Sequence, residues 1–190
     1  MLYQIVSLLL ELSAGFITGL CLLRLYMQYQ RIPMSARSGN PMGPFMFAVT
    51  DWLVLPLRRV LPPLGRWDLA SLAGALLAQM ALFGVQWLLL GGAGSLVTVL
   101  VLALFGIARM AISALTGIVI VYAVLSWVQT HSYLSDLMER LVTPVLAPIR
   151  RVLPLVGGVD LSPLALLVLL QIAAIVLGSL QASVLALALA

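Results

Sequence analysis

Six acidic residues and ten arginines supply every full charge in this chain, which has no lysine. Three groups of polar residues have types and spacings that could do chemistry. Glu11 lies inside an otherwise apolar segment, on one helical stripe with Gly15 and Gly19. A carboxyl buried among apolar helices is costly, so it serves either as an interhelical hydrogen-bond partner or as a proton or cation site. The second group is Pro56-Leu57-Arg58-Arg59-Val60-Leu61-Pro62, followed by Gly65, Asp68, Leu69, Leu72 and Gln79. It recurs 92 residues later, without slippage, as Pro148-Ile149-Arg150-Arg151-Val152-Leu153-Pro154 with Gly157, Asp160, Leu161, Leu164 and Gln171. Paired guanidiniums offer planar, two-pronged donors to phosphate or carboxylate. Asp68 and Asp160 each precede a leucine-rich run, where an N-cap belongs, and each could also pair with its Arg-Arg element. The third group is Gln79 and Gln171, at equivalent repeat positions and beside small residues (Gly74 and Ala78; Ala174 and Gly178). They are expected to form a symmetric pair of interhelical amides rather than a permeation site.

Other chemistries lack their residues. His131 is the only histidine and Cys21 the only cysteine, so no zinc, haem or iron–sulfur ligand set can be assembled from spacing. No strand-borne glycine-rich phosphate loop or nucleophile elbow occurs. No catalytic residue, metal or cofactor is expected, and the chain reads as a non-enzyme. Cys21 is expected to be a small packed side chain.

The elements that must position these residues follow from composition. Of 190 residues, 63% are hydrophobic and 8% charged, with mean hydropathy +1.18. Soluble domains are about half apolar and about a quarter charged. The natural solvent is therefore lipid, and the net charge of +4 points to membrane topology and anionic headgroups rather than nucleic acid. Transmembrane helices are expected over about 3–27, 69–91, 110–129 and 161–186. The first should remain as a span, because Met1-Leu2-Tyr3-Gln4 has no basic leader character and no small-residue cleavage site follows. The uncharged stretch Leu69–Ala108 must turn, at Gly91-Gly92-Ala93-Gly94-Ser95. Leu96–Ala108 is about 20 Å of helix, short of a ~30 Å hydrocarbon core. It reads as interfacial, re-entrant or an overlong extension of the third span.

Four crossings put the loops 28–68 and 130–160 on one side, together with Arg24 and all the other arginines except Arg109. A fifth crossing would separate the two Arg-Arg elements, against the positive-inside tendency. The expected fold is an all-α membrane protein of two tandem parallel repeats, 1–92 and 93–190. Each has two transmembrane helices and an interfacial amphipathic helix, at Phe45–Leu55 and Leu134–Leu146, ending at proline. The motif loops are expected in the cytoplasm and both termini in the periplasm. The prolines are expected to keep the Arg-Arg segments from being continuous helix. The first repeat carries a turn-rich insertion, Arg31–Pro41, where the second has only Gln129-Thr130-His131-Ser132-Tyr133.

The doubled motif, with Glu11, Leu23-Arg24-Leu25, Met27-Gln28, Asn40-Pro41 and Gly157-Gly158-Val159-Asp160-Leu161-Ser162-Pro163, resembles the YggT family of bacterial inner-membrane proteins, to which the YlmG proteins are related. The resemblance covers nearly the whole chain. Departures are the insertion around Pro33–Gly39 and Gly65-Arg66-Trp67-Asp68 in place of a Gly-Gly-x-Asp element. The resemblance implies two-span repeats, no established catalytic activity, and links to osmotic-stress tolerance, ion uptake, cell division or assembly of membrane complexes. Two functions follow. One is an assembly or organising protein working through Arg58, Arg59, Arg150 and Arg151, with anionic lipids and a membrane protein or a second copy as partners. The other is a transport or osmoregulatory component using Glu11, Gln79 and Gln171.

Overall fold

The computed structural model describes residues 2–35, 40, 42–92, 95–128, 132–153 and 160–189. Six helices account for nearly all of them: α1 (Leu2–Tyr29), α2 (Met42–Val60), α3 (Leu69–Leu89), α4 (Leu96–Val128), α5 (Tyr133–Val152) and α6 (Ser162–Leu189). Four of these, α1, α3, α4 and α6, are long and apolar enough to cross a bilayer. The chain divides into two compact units, Met1–Ala111 with Ser179–Ala190, and Ile112–Gly178.

In the first unit, α2 packs on both α1 and α3, which also pack on each other. Small residues permit the approach. Cys21, Val54, Ala70 and Ala75 form the buried centre, and a Cβ on Gly74 would stand 3.5 Å from Cys21 Sγ, Leu53 and Val54. The turns are closed by backbone geometry. Arg31 (φ 56°) ends α1 in the left-handed conformation, with Ile32 N–H bonded to Met27 O and Arg31 N–H to Gln28 O. This is the Schellman arrangement. Gly91 (φ 82°) does the same for α3.

The insertion after α1 is fastened by Asn40, which is buried. Its amide donates to Pro33 O and its carbonyl oxygen accepts from Met42 N, both at 3.0 Å. Here Gly43 is indispensable, because a Cβ would overlap the backbone carbonyl of Met34. Gly43→Ala should therefore lower stability by about 1–3 kcal/mol, the cost of an overpacked site. Thermal unfolding in detergent checks this, with Gly84→Ala, which meets no neighbour within 4 Å, as the control.

The second unit is organised around Val119, Val142, Leu146 and Leu166. Leu137, Met138, Leu141, Val142 and Leu146 are the buried face of α5, while Asp136, Glu139 and Arg140 are exposed. Ser132 caps α5, accepting from Ser135 N at 3.2 Å. The outer face of α2 is different, with Phe45, Trp52 and Leu55 exposed. One helix is polar outward and the other apolar outward, so the two do not present the same surface.

One expectation about these helices is corrected: the prolines inside them do not interrupt them. α2 runs through Pro56 and includes Arg58 and Arg59, and α5 runs through Pro144 and Pro148 and includes Arg150 and Arg151. A proline removes one intrahelical bond and can be carried by a helix that is held by tertiary packing. The next proline is what stops each helix. Leu61 precedes Pro62, and the C-cap Leu153 (φ −101°, ψ 106°) precedes Pro154, in the extended form that a following proline favours. Residues 96–128 form one 33-residue helix with no break at Arg109, about 50 Å long. The expected motif members Pro154 and Gly157, and the Gln129–His131 stretch, lie outside the described residues.

Candidate functional site

Each Arg-Arg element is tied down by its first arginine. Arg58 is ion-paired with Asp68, and Arg150 pairs with Asp160 at 2.9 Å. The ten-residue spacing is the same in both. In each, the helix carries the guanidinium and the aspartate receives a first-turn N–H of the following helix. Asp68 accepts from Ser71 N at 3.4 Å and from Ser71 Oγ at 2.8 Å at the start of α3. Asp160 accepts from Ser162 N at 2.9 Å at the start of α6. Gly65 (φ 61°) makes the tight turn that delivers Asp68, and the same turn sets Trp67 against Tyr29, with ring centroids 5.0 Å apart. The second arginine of each element, Arg59 or Arg151, is exposed and has no partner among the described residues.

The environments of the two pairs differ. Asp68 is fully buried and belongs to a network that the motif did not announce. Arg24, only 2% exposed, donates to Thr50 Oγ1 at 2.9 Å and Asp51 Oδ1 at 2.6 Å. It also stands 3.9 Å from Asp68 Oδ2 and 4.7 Å from the Phe47 ring centroid. Arg24, expected on the same face as the motif loops, is enclosed by α1, α2 and the start of α3. Two guanidiniums and two carboxylates leave this cluster neutral, the condition under which buried charge is tolerable.

The pair in the second unit is more open, with side chains 36% and 30% exposed. Arg150 also donates to Tyr122 OH at 2.8 Å. Burial pushes the Asp160 carboxyl upward, but the bonds from Ser162 and the Arg150 guanidinium outweigh it and hold the group below its ordinary range. For Arg150, burial acts downward and is exceeded by Tyr122 and Asp160, so its pKa is raised. A depressed carboxylate stabilises the fold above the ordinary aspartate value of about 3.9 and loses that contribution as pH falls through its folded value. The Asp160–Arg150 contact should therefore persist at pH 5 and be lost only below about 3.9. The chemical shift of a labelled Asp160 carboxyl, followed across that range, checks it.

Glu11 and Gln79 lie on a polar seam between α1 and α3. Glu11 is exposed, and its Oε1 accepts from Ser7 Oγ and Gln86 Nε2, each at 3.0 Å. Two turns further along, Gln79 Nε2 donates to Thr18 Oγ1 at 3.1 Å. Gln79 is buried, and α4 comes close enough that a Cβ on Gly106 would overlap Gln79 Oε1. Gln171 does not match it. It is exposed and has no side-chain hydrogen-bond partner among the described residues, so there the expected symmetric amide pair is not formed. Arg109 is exposed and donates to Gln181.

The sequence reading missed Thr50, Asp51, Phe47, Gln86 and Tyr122. Three of these left a readable trace. Thr50-Asp51 is a polar pair inside an apolar helix, and Gln86 follows Gln79 by seven residues, on the same face of α3. Among the described residues no group of three or more His, Cys, Asp or Glu could hold a metal.

Four apolar helices with capped arginine–aspartate loops between them define the class: a multi-pass helical membrane protein. Its sequence matches the family described as CCB3/YggT over residues 3–89 and 101–181. It is 34% identical to "Uncharacterized protein in proC 3'region" of Vibrio alginolyticus, covering 83% of this chain and 84% of the relative. It is also 34% identical to "Uncharacterized protein YggT" of Escherichia coli K12, with 82% and 79% covered, and to "Uncharacterized protein PA0392" of Pseudomonas aeruginosa, with 75% of each covered. The chain belongs to the CCB3/YggT family. No solved structure matches it significantly.

Proposed function

We propose that this chain is a non-catalytic organiser of the bacterial inner membrane, built of two parallel repeats, which holds anionic lipid and a membrane protein partner through its cytoplasmic arginines. Positive-inside bias supports cytoplasmic motif loops and periplasmic termini. The repeat reading is supported by the motif itself and by Thr18-Gly19 and Thr116-Gly117, which stand 98 residues apart. The offset grows from 92 to 98 because the first loop is longer than the second. This register sets Tyr122 opposite Arg24 and Arg109 opposite Glu11.

The observation that carries the organising role is the division of labour inside each Arg-Arg element. Arg58 and Arg150 are occupied by aspartates, whereas Arg59 and Arg151 are exposed and unpaired among the described residues. An exposed guanidinium at the cytoplasmic surface is matched to lipid phosphate or to an acidic partner. Arg59→Gln with Arg151→Gln should leave folding and insertion unchanged and strip co-purifying partners severalfold in affinity capture from mild detergent. An unchanged partner profile would sink the organising role.

The transport reading keeps one specific support, the Ser7–Glu11–Gln86 and Thr18–Gln79 levels along one helix interface. Interhelical hydrogen bonds of this kind hold bundles together without conducting anything. Glu11→Gln separates the two, since osmotic tolerance and ion flux should be unaffected if the seam is only structural.

A further inference from the structure

The neutral cluster in the first unit leaves two donors over. Arg24 spends Nη1 on Thr50 and Asp51, and Arg58 spends Nη2 on Asp68. The Nε atoms of both arginines are buried without an acceptor. Both arginines line one cavity of about 150 Å³, together with Gln28 and Asp51 and against Phe47 and Leu55. Gln28 is half-buried and makes no side-chain hydrogen bond among the described residues. Unmet guanidinium donors beside a partly apolar cleft that opens to the surface call for an oxygen-rich acceptor, and phosphate suits the guanidinium fork best.

Charge decides which phosphate. The lining carries Arg24, Arg58 and Asp51, and Asp68 lies directly behind, so positive and negative charges cancel. A free phosphate dianion or an anionic headgroup would leave the site with net negative charge. A zwitterion would not. Its phosphate would take the spare Nε–H groups and the Gln28 amide, and its ammonium would take Asp51, whose side chain is 37% exposed. The apolar wall of Phe47 and Leu55 suits the glycerol end of a lipid. We propose that this cavity holds the headgroup of a zwitterionic aminophospholipid. The proposal rests on the reading that the α1 end and the start of α2 lie at headgroup depth. It is independent of Arg59 and Arg151, so loss of partner capture on changing those two does not touch it.

The test is native mass spectrometry of the full chain, delipidated in mild detergent and titrated separately with dioleoyl phosphatidylethanolamine, dioleoyl phosphatidylglycerol and inorganic phosphate. Phosphatidylethanolamine is expected to bind at least tenfold more tightly than phosphatidylglycerol, and millimolar phosphate should not displace it. Arg58→Lys keeps a cation for Asp68 but removes the Nε–H, and should weaken retention about tenfold, as loss of a charged hydrogen bond does. Gln28→Leu touches no ion pair and should weaken it severalfold, which keeps the test decisive if the lysine variant misfolds. Equal or tighter phosphatidylglycerol binding, displacement by inorganic phosphate, or retention indifferent to Gln28→Leu would each overturn the proposal, the last leaving a water-filled cavity.

Discussion

Asp68→Ala is expected to destabilise the protein by about 3–5 kcal/mol, the range found when one member of a buried charge cluster is removed. The carboxylate is fully buried and serves Arg58, Arg24 and the first turn of α3 at once. Without it, the guanidiniums of Arg24 and Arg58 are left with only Asp51 to balance them, and α3 loses its cap. The equivalent Asp160→Ala, in a pair about one-third exposed, should cost only about 1 kcal/mol, mostly as the lost cap. Thermal and denaturant unfolding in the same detergent give the difference directly. Similar costs at both positions would mean that the burial of Asp68 carries no energetic weight.

The contrast marks how far the sequence could be read. The doubled motif identified both arginine–aspartate pairs, because a charge that recurs at fixed spacing in an apolar chain has few physical uses. Long uncharged apolar runs located the four long helices, and a glycine cluster located the turn after α3. The depth of a charge was not legible. Arg24 and Arg59 look alike as arginines near helix ends, and only the packing of α2 distinguishes their depths. Nor was the persistence of helix through Pro56 and Pro148, because local propensity disfavours it and tertiary contacts with the buried faces of α2 and α5 override it. Gln79 and Gln171 show a different limit: matched positions do not ensure matched partners. Gln79 meets the hydroxyl of Thr18 and the bare backbone at Gly106. Gln171 lies on an exposed face, so the same amide has a different role.

On the proposed repeat register, the second half of the chain holds a natural substitution experiment on the buried cluster. Tyr122 stands where the first repeat has Arg24, and Val142 and Thr143 stand where it has Thr50 and Asp51. The arginine, its hydroxyl acceptor and its carboxylate are all replaced together, which is what the energetics of a buried ion pair require. Arg24→Tyr alone should therefore cost about 3–5 kcal/mol, because it strands Asp51 and removes a counter-charge from Asp68. Adding Asp51→Thr and Thr50→Val should return most of that loss, since apolar or neutral replacement of a whole buried pair is often close to neutral. The surviving Arg58–Asp68 pair would then resemble Arg150–Asp160, with the tyrosine hydroxyl as its third member. A double-mutant cycle in detergent, comparing Arg24→Tyr, the Asp51→Thr/Thr50→Val variant and the triple variant, measures the coupling. Additive losses in the triple variant would show that the two repeats do not share one design for this site. A recovery of about 2 kcal/mol or more, in the upper part of the roughly 0.5–3 kcal/mol coupling seen within one ion-pair network, would show that they do.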